Sequence, residues 1–534
     1  MRSRTDKHGS NSFVFALQWY RGFMEATGNN GNDTAVLYGL EPELVWRYFS
    51  AITAIPRCSC REERVRSYIT GEARSLGLQY RVDEAGNVVV CKPAAPGRDS
   101  SPVVILQGHM DMVCEKDHDR VHDFERDGIR LHRDGEWIHA DGTTLGADNG
   151  IALAMMLALL AGSHPTGPLE CLFTVDEESG LTGAMRLDPK LLTGRIMINL
   201  DSEDEGVFYT GCAGGCNTYV TLPVLRERVR ADSGEVMEVR ITGLRGGHSG
   251  IDIQEGRGNS IVLGARLLAM VRKEIPSVRL LSLAGGGKHN AIPREFLVKL
   301  ICPGTTERQA LEKCAGEAEA LFREESADRE PLLRIELRSE GDGGGETDGA
   351  GPADGGHLTV LTPASLDILV DLLLAIPHGV LGMSGTIPEL VETSTNLAAL
   401  GLEAEGVRIL TSQRSSRESL IEWASHRISA IAKLAGGTVR VGEKYPSWTP
   451  RRESPLLDRA SAVYRILYGE DPRVTVVHAG LECGVIGDRV GEVGEMDMLS
   501  LGPDLEGAHT PRERLNISST ERTWNLLIKI LETL

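Results

Sequence analysis

The sequence predicts an α/β protein with a mixed, mostly parallel sheet, interrupted by an inserted region of α+β character. Short apolar runs at residues 103–107, 169–175 and 195–200 are typical of strands buried on both faces of a sheet. The run at 151–160 is apolar on nearly all sides and is long enough to form a buried helix. Strands that alternate with helices in this way favour parallel pairing.

Other elements are indicated by periodicity and turn residues. Before the first buried strand, helices are predicted at 41–52 and 61–76. Strands are predicted at 79–83 and 87–91, and a turn at 84–87 joins them. Beyond residue 215 the strands alternate apolar and polar residues, which is typical of an α+β region. The elements predicted there are strands at 236–241 and 295–301 and helices at 258–273 and 305–326. The α/β pattern returns from Leu456.

These changes of pattern predict a discontinuous main domain. Its first part covers residues 37–214 and its second part 436–534, with an inserted domain at 215–435 between them. Residues 1–36, rich in Asn and Gly, are expected to form a poorly ordered extension. Residues 341–356 contain eight glycines and are expected to form a flexible loop within the insertion.

Composition excludes several classes of function. The 534 residues include 57 Lys and Arg against 76 Asp and Glu, a net charge of -19, which disfavours binding to nucleic acid or to anionic membranes. The longest apolar run, residues 151–161, falls short of the roughly 20 residues that a membrane-spanning helix needs. Ten cysteines are too sparse for a disulfide scaffold and indicate a reducing cytoplasm.

Charged residues follow each of the three predicted buried strands. They are His109 and Asp111, then Glu177 and Glu178, then Asp201. Because ligands bind at the carboxyl ends of strands in open α/β sheets, we expect these side chains to meet there. Adjacent carboxylates repel each other and need a counter-charge, which a metal ion supplies. With Asp148, the set suits two zinc ions that share a bridging carboxylate.

Each of these motifs also has a plainer interpretation. His-x-Asp is common as a surface pair, Asp148 could cap the helix that follows it, and Glu177-Glu178 could form a solvated acidic turn. Repetition at successive strand ends favours the metal site. A second histidine ligand would come from His509 or His478, both of which follow apolar stretches.

Several motifs agree in type and order with one known family. They are His109-x-Asp111, Gly146-Ala147-Asp148-Asn149-Gly150, Glu177-Glu178, Asn199-Leu200-Asp201 and Gly507-Ala508-His509-Thr510-Pro511. Together they resemble the di-zinc aminoacylase/carboxypeptidase-type metallopeptidases. Further stretches, including Gly211-Cys212-Ala213-Gly214-Gly215, Gly246-Gly247-His248-Ser249-Gly250 and His478-Ala479-Gly480-Leu481-Glu482-Cys483, are similar to its branch of aminoacyl-histidine (Xaa-His) dipeptidases. The resemblance covers roughly residues 40–534.

The resemblance implies a role for each matching residue. The implied ligands are His109 and Asp201 for one zinc ion and Glu178 and His509 for the other, with Asp148 as the bridge. Asp111 would brace His109, and Glu177 would be the general base that takes a proton from the attacking water. Cobalt or manganese could replace zinc.

The same resemblance makes the inserted domain a lid. His248 would reach the tetrahedral intermediate, and Asn290 and Arg414 would hold the substrate carboxylate and nearby polar atoms. Arg294 competes with Arg414 for this role. The lid is expected to act within its own chain.

His478 and Glu482 would line the substrate pocket, with a structural role as the alternative for both. The implied function is metal-dependent hydrolysis of dipeptides in the cytoplasm, with a preference for Xaa-His, including the β-alanyl-His type. A tripeptidase or an N-acyl-amino-acid hydrolase with the same zinc core is the alternative. The expected partner is a short peptide substrate, and a homodimer is left open.

Overall fold

The computed structural model describes residues 36–326, 328–339, 356–385, 387, 389–491 and 495–534. The predicted extension at 1–36 and the predicted loop at 341–356 lie outside these residues, apart from Val36 and Gly356. The chain divides into two compact units. The first unit comprises residues up to 211 with 448–476 and 481–534, and the second comprises residues 212–447 with 477–480.

The helices and strands are numbered along the described chain. The first segment contains α1 (Glu43–Thr53), α2 (Glu63–Ser75), α3 (Ala147–Ala161), α4 (Thr182–Met185), β1 (Gln79–Val82), β2 (Val88–Lys92), β3 (Val104–His109), β4 (Leu131–Asp134), β5 (Trp137–Ala140), β6 (Leu169–Thr174), β7 (Ile196–Asn199) and β8 (Val207–Cys212). The middle segment contains α5 (Ser260–Glu274), α6 (Thr305–Ser326), α7 (Pro363–Ala375), α8 (Glu418–Leu434), β9 (Gly214–Leu222), β10 (Arg226–Arg230), β11 (Glu235–Thr242), β12 (Arg279–Gly286), β13 (Phe296–Cys302), β14 (Arg334–Ser339), β15 (His357–Leu361), β16 (Gly379–Met383), β17 (Val391–Glu403), β18 (Gly406–Ser415) and β19 (Thr438–Tyr445). The last segment contains α9 (Pro455–Tyr468), α10 (Glu482–Gly491), α11 (Ile517–Thr533), β20 (Arg473–Val477), β21 (Asp497–Ser500), β22 (Leu505–Glu506) and β23 (Arg514–Asn516).

The first unit is built on an eight-stranded mixed sheet in the order β1-β2-β6-β3-β7-β21-β8-β20. Its centre is parallel, because β3 pairs with β6 and β7 in the same direction and β21 pairs in the same direction with β7. Antiparallel strands flank this centre, with β2 beside β6 and β8 beside β21. The predicted α/β fold class is therefore confirmed.

Helix α3 lies in the middle of the core of the first unit. Its apolar residues cover every side, so none of them can face water without cost, and residues 149–160 are all buried. Helices α1 and α11 contribute to the same hydrophobic cluster. Gly108 of β3 lets the strand and α3 approach closely, because a Cβ atom there would lie 2.4 Å from Asn149 Oδ1 and 2.9 Å from Ala152 Cβ.

The second unit has its own sheet and core. Strands β14-β11-β13-β12-β17-β18-β9-β19 follow one another, and β16 pairs with β17. Helices α5, α6, α7 and α8 contribute apolar residues to the hydrophobic cluster of this unit. The alternating burial along β11 reflects one face against the core and one towards solvent, as the period of two in its sequence predicts.

The second boundary of the inserted region differs from the prediction. Residues 436–447 lie in the second unit, because β19 pairs with β9 over Thr438–Thr221 to Tyr445–Gly215. The sequence predicts the break earlier, at residue 435, because a turn-rich stretch from Gly436-Gly437 to Pro450 follows it. That glycine turn instead joins α8 to a further strand of the same sheet.

Cys58 and Cys114 form a disulfide, with Cα atoms 5.8 Å apart. It ties the segment before α2 to the segment after β3, where Cys58 also bridges Met112 through the backbone. This pair is not predictable from the sequence, because its two cysteines are 56 residues apart and their spacing carries no signal. A disulfide is uncommon in the reducing compartment that the cysteine usage indicates. Among the described helices, none is both long and apolar enough to cross a membrane.

A substitution in α1 tests the core of the first unit. Ile52 is fully buried in that core, so Ile52→Ala should lower the free energy of unfolding by about 2–5 kcal/mol through lost burial and a residual cavity. Ile466 lies in a helix of the same unit but is 78% exposed, so Ile466→Ala should change it by less than about 0.5 kcal/mol. Urea denaturation of both variants is the measurement, and equal effects would contradict the assignment of the core.

Candidate active site

The carboxyl ends of three central parallel strands carry the predicted site residues of the first unit. His109 is the last residue of β3, and it pairs in register with Thr174, the last residue of β6. Asn199, the last residue of β7, lies beside Gln107 of β3. The chain then continues from β6 into Glu177 and Glu178 and from β7 into Asp201. Register alone therefore brings these side chains to one edge of the sheet.

His109 lies between two carboxylates. Its Nε2 atom is 3.0 Å from Asp148 Oδ1 and 3.3 Å from Asp201 Oδ1. The imidazole is 1% exposed. One nitrogen and two carboxylate oxygens from three different segments thus converge at a buried point.

His509 forms a second cluster around the other oxygen of Asp148. Its Nε2 atom is 3.0 Å from Asp148 Oδ2 and 2.9 Å from Glu178 Oε2. The backbone of His509 is left-handed, with φ of 64°, which is uncommon for a residue other than glycine and is held here by its surroundings. One carboxylate, that of Asp148, is therefore shared by both histidines.

Asp148 does not cap the following helix, which is the alternative to a role as metal ligand. The N-cap position of α3 is Gly146 and not Asp148, and Asp148 and Asn149 have non-helical backbone angles. The regular helix begins after them. The Asp148 side chain is consequently free to face the two histidines instead of the helix.

Asp111 organises the residues around it. Its Oδ1 is 3.3 Å from His109 Nδ1 and accepts a hydrogen bond from the backbone N–H of Glu177 at 3.0 Å. Its Oδ2 accepts one from the N–H of Glu178 at 3.1 Å and one from the Ser59 hydroxyl at 2.7 Å. A single buried carboxylate thus orients the imidazole and fixes the backbone of the glutamate pair.

Glu177 and Glu178 are consecutive, yet their positions differ. Asp176, just before them, has a left-handed φ of 51°, and the turn closes where Gly180 N–H donates to the Glu177 carbonyl at 3.0 Å. Glu178 contacts His509, whereas a carboxylate oxygen of Glu177 lies within 4.8 Å of ligand atoms of His109 and Glu178. Glu177 is therefore close to the clusters without an ion pair of its own to either histidine.

The pKa shifts of the site residues indicate that the site requires positive charge. Burial would lower the pKa of His509, but the carboxylates of Asp148 and Glu178 raise it to about 12. Burial would likewise lower the pKa of His109, but Asp201, Asp111 and Asp148 raise it well above its usual range. Burial raises the pKa of Glu178 to about 7, and the charge of Asp148 adds to this effect. So many buried carboxylates are stable only beside cations.

The residues fit a pair of divalent cations. The donors that meet are His109, Asp148 and Asp201 in one group and Asp148, Glu178 and His509 in another. Two ligands held tetrahedrally at about 2.0–2.2 Å from one zinc ion lie about 3.3–3.6 Å apart, slightly more than the 2.9–3.3 Å that separates these atoms. Within the described part of the chain, Glu178 Oε1 is also buried without a hydrogen-bond partner, as expected of an atom that a metal ion would contact.

The predicted lid residues meet in the second unit. His248 Nε2 is 3.5 Å from Arg414 Nη2, and the backbone at Ser249 donates to the Asn290 carbonyl at 2.8 Å. His478 Nε2 is 2.7 Å from Ser394 Oγ, and Ser394 pairs in register with Arg414. Burial and the charge of Arg414 lower the pKa of His478 to about 3, so its imidazole is neutral.

Arg414 differs from its competitor Arg294. Arg294 is exposed, whereas Arg414 is 5% exposed and donates to the Tyr445 hydroxyl at 2.8 Å. Its Nε is buried without a hydrogen-bond partner, and the groups found near its guanidinium among the described residues are the Tyr445 hydroxyl and the His248 imidazole, not a carboxylate. A buried, unpaired guanidinium is suited to a carboxylate brought by a ligand.

Glu482 lies in the first unit, fully buried at the start of α10. Its Oε2 accepts hydrogen bonds from the Thr174 hydroxyl at 2.6 Å and from the Gln107 amide. Burial raises its pKa to about 8. These contacts favour the structural alternative for Glu482 over the pocket-lining one.

Sequence reasoning missed several residues that support the site. The Ser59 hydroxyl donates a hydrogen bond to Asp111, and the Tyr445 hydroxyl accepts one from Arg414. Arg57 and Glu513 contact the backbone of the loops that carry the ligands. Of these, only Glu513 had a usable signal, since it lies four residues after His509 and just beyond the Gly507–Pro511 motif.

Comparison with known proteins agrees with this geometry. Residues 105–533 match peptidase family M20/M25/M40. A cytosol non-specific dipeptidase of Escherichia coli (strain K12) is 37% identical over 92% of this chain and 98% of its own. The crystal structure of an aminoacylhistidine dipeptidase from Vibrio alginolyticus has a TM-score of 0.72 and 36% identity over 93% of this chain and 98% of its own. A tripeptidase structure from Staphylococcus aureus, with a TM-score of 0.50 and 16% identity over 92% of this chain and 98% of its own, shares the fold alone.

A sheet edge with two clusters of histidine and carboxylate ligands that share one aspartate defines a metal-dependent hydrolase. The chain belongs to peptidase family M20/M25/M40, and the enzyme is a metallopeptidase of that family.

Metal content tests the two clusters. Wild-type protein should bind about two divalent ions per chain, and His509→Ala should lose one of them, because it removes the histidine ligand of its cluster. His132 is a half-exposed histidine of the same unit outside both clusters, so His132→Ala should keep both ions. The ions are counted by elemental analysis after dialysis. Two ions retained in His509→Ala would contradict this ligand assignment.

Proposed function

We propose that the enzyme is a cytoplasmic di-zinc dipeptidase that removes the N-terminal residue from short peptides, with a preference for Xaa-His substrates, including the β-alanyl-His type. The observation that carries the proposal is the Asp148 carboxylate shared by His109 and His509, with Glu177 beside them. The names of the two similar dipeptidases support the substrate class and the compartment.

Zinc is proposed from the donor set. Two imidazole nitrogens with carboxylate oxygens are ligands that zinc accepts, and cobalt or manganese could replace it. One ion would be held by His109 and Asp201 and the other by Glu178 and His509, with Asp148 between them. Bound there, the ions would lower the pKa of a water molecule and polarise the carbonyl of the scissile bond.

Glu177 is proposed as the general base. It is held within 4.8 Å of the ligand atoms of His109 and Glu178, and its backbone is fixed by Asp111. Burial raises the pKa of Glu177 well above its usual range, so its carboxylate has a strong affinity for a proton. It would take the proton from the attacking water and pass it to the leaving amine.

The cluster of the second unit would bind the substrate. The unpaired guanidinium of Arg414 would hold the C-terminal carboxylate of the dipeptide, and Asn290 would bind a nearby polar atom. His248 would donate to the oxyanion of the tetrahedral intermediate. The neutral imidazole of His478 is hydrogen-bonded to Ser394, the residue that pairs with Arg414 in the sheet, and would complete the pocket.

A substrate panel tests the reaction class. Hydrolysis of Xaa-His, Xaa-Leu, β-alanyl-His, a tripeptide and an N-acetyl amino acid should be compared with and without chelator and added zinc. The proposal expects the dipeptides to be cleaved and cleavage to depend on metal. Preferential cleavage of the tripeptide or of the N-acetyl amino acid, or full activity in excess chelator, would overturn it.

Two neighbouring substitutions separate catalysis from metal binding. Glu177→Gln keeps the size of the side chain but removes the base, so kcat should fall by roughly 10²–10⁴ while both metals and KM are retained. Glu178→Gln should instead lose metal, because Glu178 is 2.9 Å from His509 within its cluster. The measurements are steady-state kinetics and metal analysis of both variants. Loss of metal in Glu177→Gln would mean that the two roles are exchanged.

A substitution in the second unit tests the oxyanion donor. His248→Ala should keep both metals and its thermal stability but lower kcat by roughly 10²–10³, the usual loss for one such donor. His426 is exposed on α8 of the same unit, so His426→Ala is the matched control and should behave as wild type. Turnover of His248→Ala near that of the control would assign His248 a structural role.

A further inference from the structure

The carboxylate of Glu513 binds four consecutive backbone N–H groups. Oε2 accepts from Leu145 at 2.8 Å and from Gly146 at 3.0 Å, and Oε1 accepts from Ala147 at 2.8 Å and from Asp148 at 3.2 Å. Glu513 is 2% exposed. These four groups precede the regular part of α3 and have no partner within that helix. The carboxylate therefore determines the backbone path into Asp148.

Glu513 is joined rigidly to the segment that carries His509. The Glu513 N–H donates to the Thr510 carbonyl at 3.0 Å, and the Thr510 N–H and hydroxyl both donate to the Gly507 carbonyl, at 3.2 and 2.7 Å. His509 lies inside this turn. Because Glu513 binds the Asp148 loop, the turn and the loop must move together.

Arg57 makes the complementary contacts. Its guanidinium is 1% exposed and donates to the carbonyls of Met110 at 3.1 Å, Asp111 at 2.8 Å and Gly146. It thus links the loop after His109 to the Asp148 loop through their backbones. Glu513 accepts hydrogen bonds from the N–H groups of the Asp148 loop, and Arg57 donates one to a carbonyl of the same loop. The loop backbone is therefore fixed through both its donors and an acceptor.

We propose that Glu513, together with Arg57, is a positioning residue that aims the two oxygens of Asp148 at the two histidines. The inference rests on the proposed di-metal function. Asp148 Oδ1 and Oδ2 must each lie about 3 Å from a different histidine, and a small rotation of the Asp148 backbone would lose one contact. Neither Glu513 nor Arg57 belongs to a donor group at either cluster in the described chain. Both act through the loops.

Glu513→Gln tests this role. An amide has one acceptor oxygen instead of two, so two of the four N–H groups lose their partner. Zinc affinity, measured with zinc alone by competition with a chromogenic chelator, should fall roughly 10–100-fold, the usual effect of losing a group that orients a ligand. The visible absorption of bound cobalt should shift because the ligand geometry changes. With zinc added to saturation, KM should match wild type.

Other variants make the result specific. Glu513→Asp keeps both oxygens and should bind zinc more tightly than Glu513→Gln does. Glu506 lies on the same segment, 55% exposed and paired with Arg514, so Glu506→Gln should bind zinc as wild type does. If Glu513→Gln does not fold, Arg57→Lys carries the same test, because a single ammonium cannot span three carbonyls.

The outcomes distinguish this inference from the proposed function. Wild-type zinc affinity and cobalt spectrum in a folded Glu513→Gln or Arg57→Lys variant, in a protein whose wild type binds two ions and cleaves dipeptides, would overturn the positioning role alone. Absence of metal from the wild-type protein would overturn the proposed function itself. A fall in affinity for Glu513→Gln, with none for Glu506→Gln, supports the inference.

Discussion

The candidate active site of the first unit depends on the carboxylate of Asp148, which two histidines share. His109 ends a strand in the first half of the chain, and His509 comes from a turn 25 residues before the end, so nothing local holds them together. Each is about 3 Å from a different oxygen of Asp148. The sheet places the ligands at one edge, α3 supports Asp148, and Asp111 orients the imidazole of His109. All three maintain the contacts of Asp148 with the two histidines.

The arrangement is electrostatically costly. Asp148, Asp201, Glu177 and Glu178 crowd into a small buried volume, and burial raises the pKa of three of them. Backbone N–H groups offset part of this cost at Asp111 and Glu513, which each bind several. Divalent ions would provide the rest, so metal binding and the stability of this edge of the sheet are coupled.

Much of this could be predicted from the sequence, for a physical reason. A buried parallel strand is a continuous apolar run, and the charged residue that ends it is conspicuous, so His109, Glu177, Glu178 and Asp201 could be placed at one edge. Residues that act through the backbone leave no such pattern: Arg57 bonds to three carbonyls in loops distant in sequence, and nothing in its neighbours indicates this.

The same limit applies at the domain boundary and at Glu482. The Gly-Gly pair at 436–437 indicates a turn but not which sheet the next strand joins, since that is decided by pairing with β9, more than 200 residues away. The family resemblance implies a pocket-lining role for Glu482, yet its Oε2 accepts hydrogen bonds from Thr174 and Gln107 inside the unit. Long-range hydrogen bonds decide both cases.

The position of β21 in the sheet has a consequence for how the enzyme is made. Strand Asp497–Ser500 lies between β7 and β8, which are synthesised almost 300 residues earlier, and His509 follows it. While the ribosome is still translating the second unit, the sheet lacks this inner strand and one cluster lacks its histidine. An unfinished chain therefore cannot assemble the complete metal centre, and proteolytic activity would begin only when translation is nearly complete.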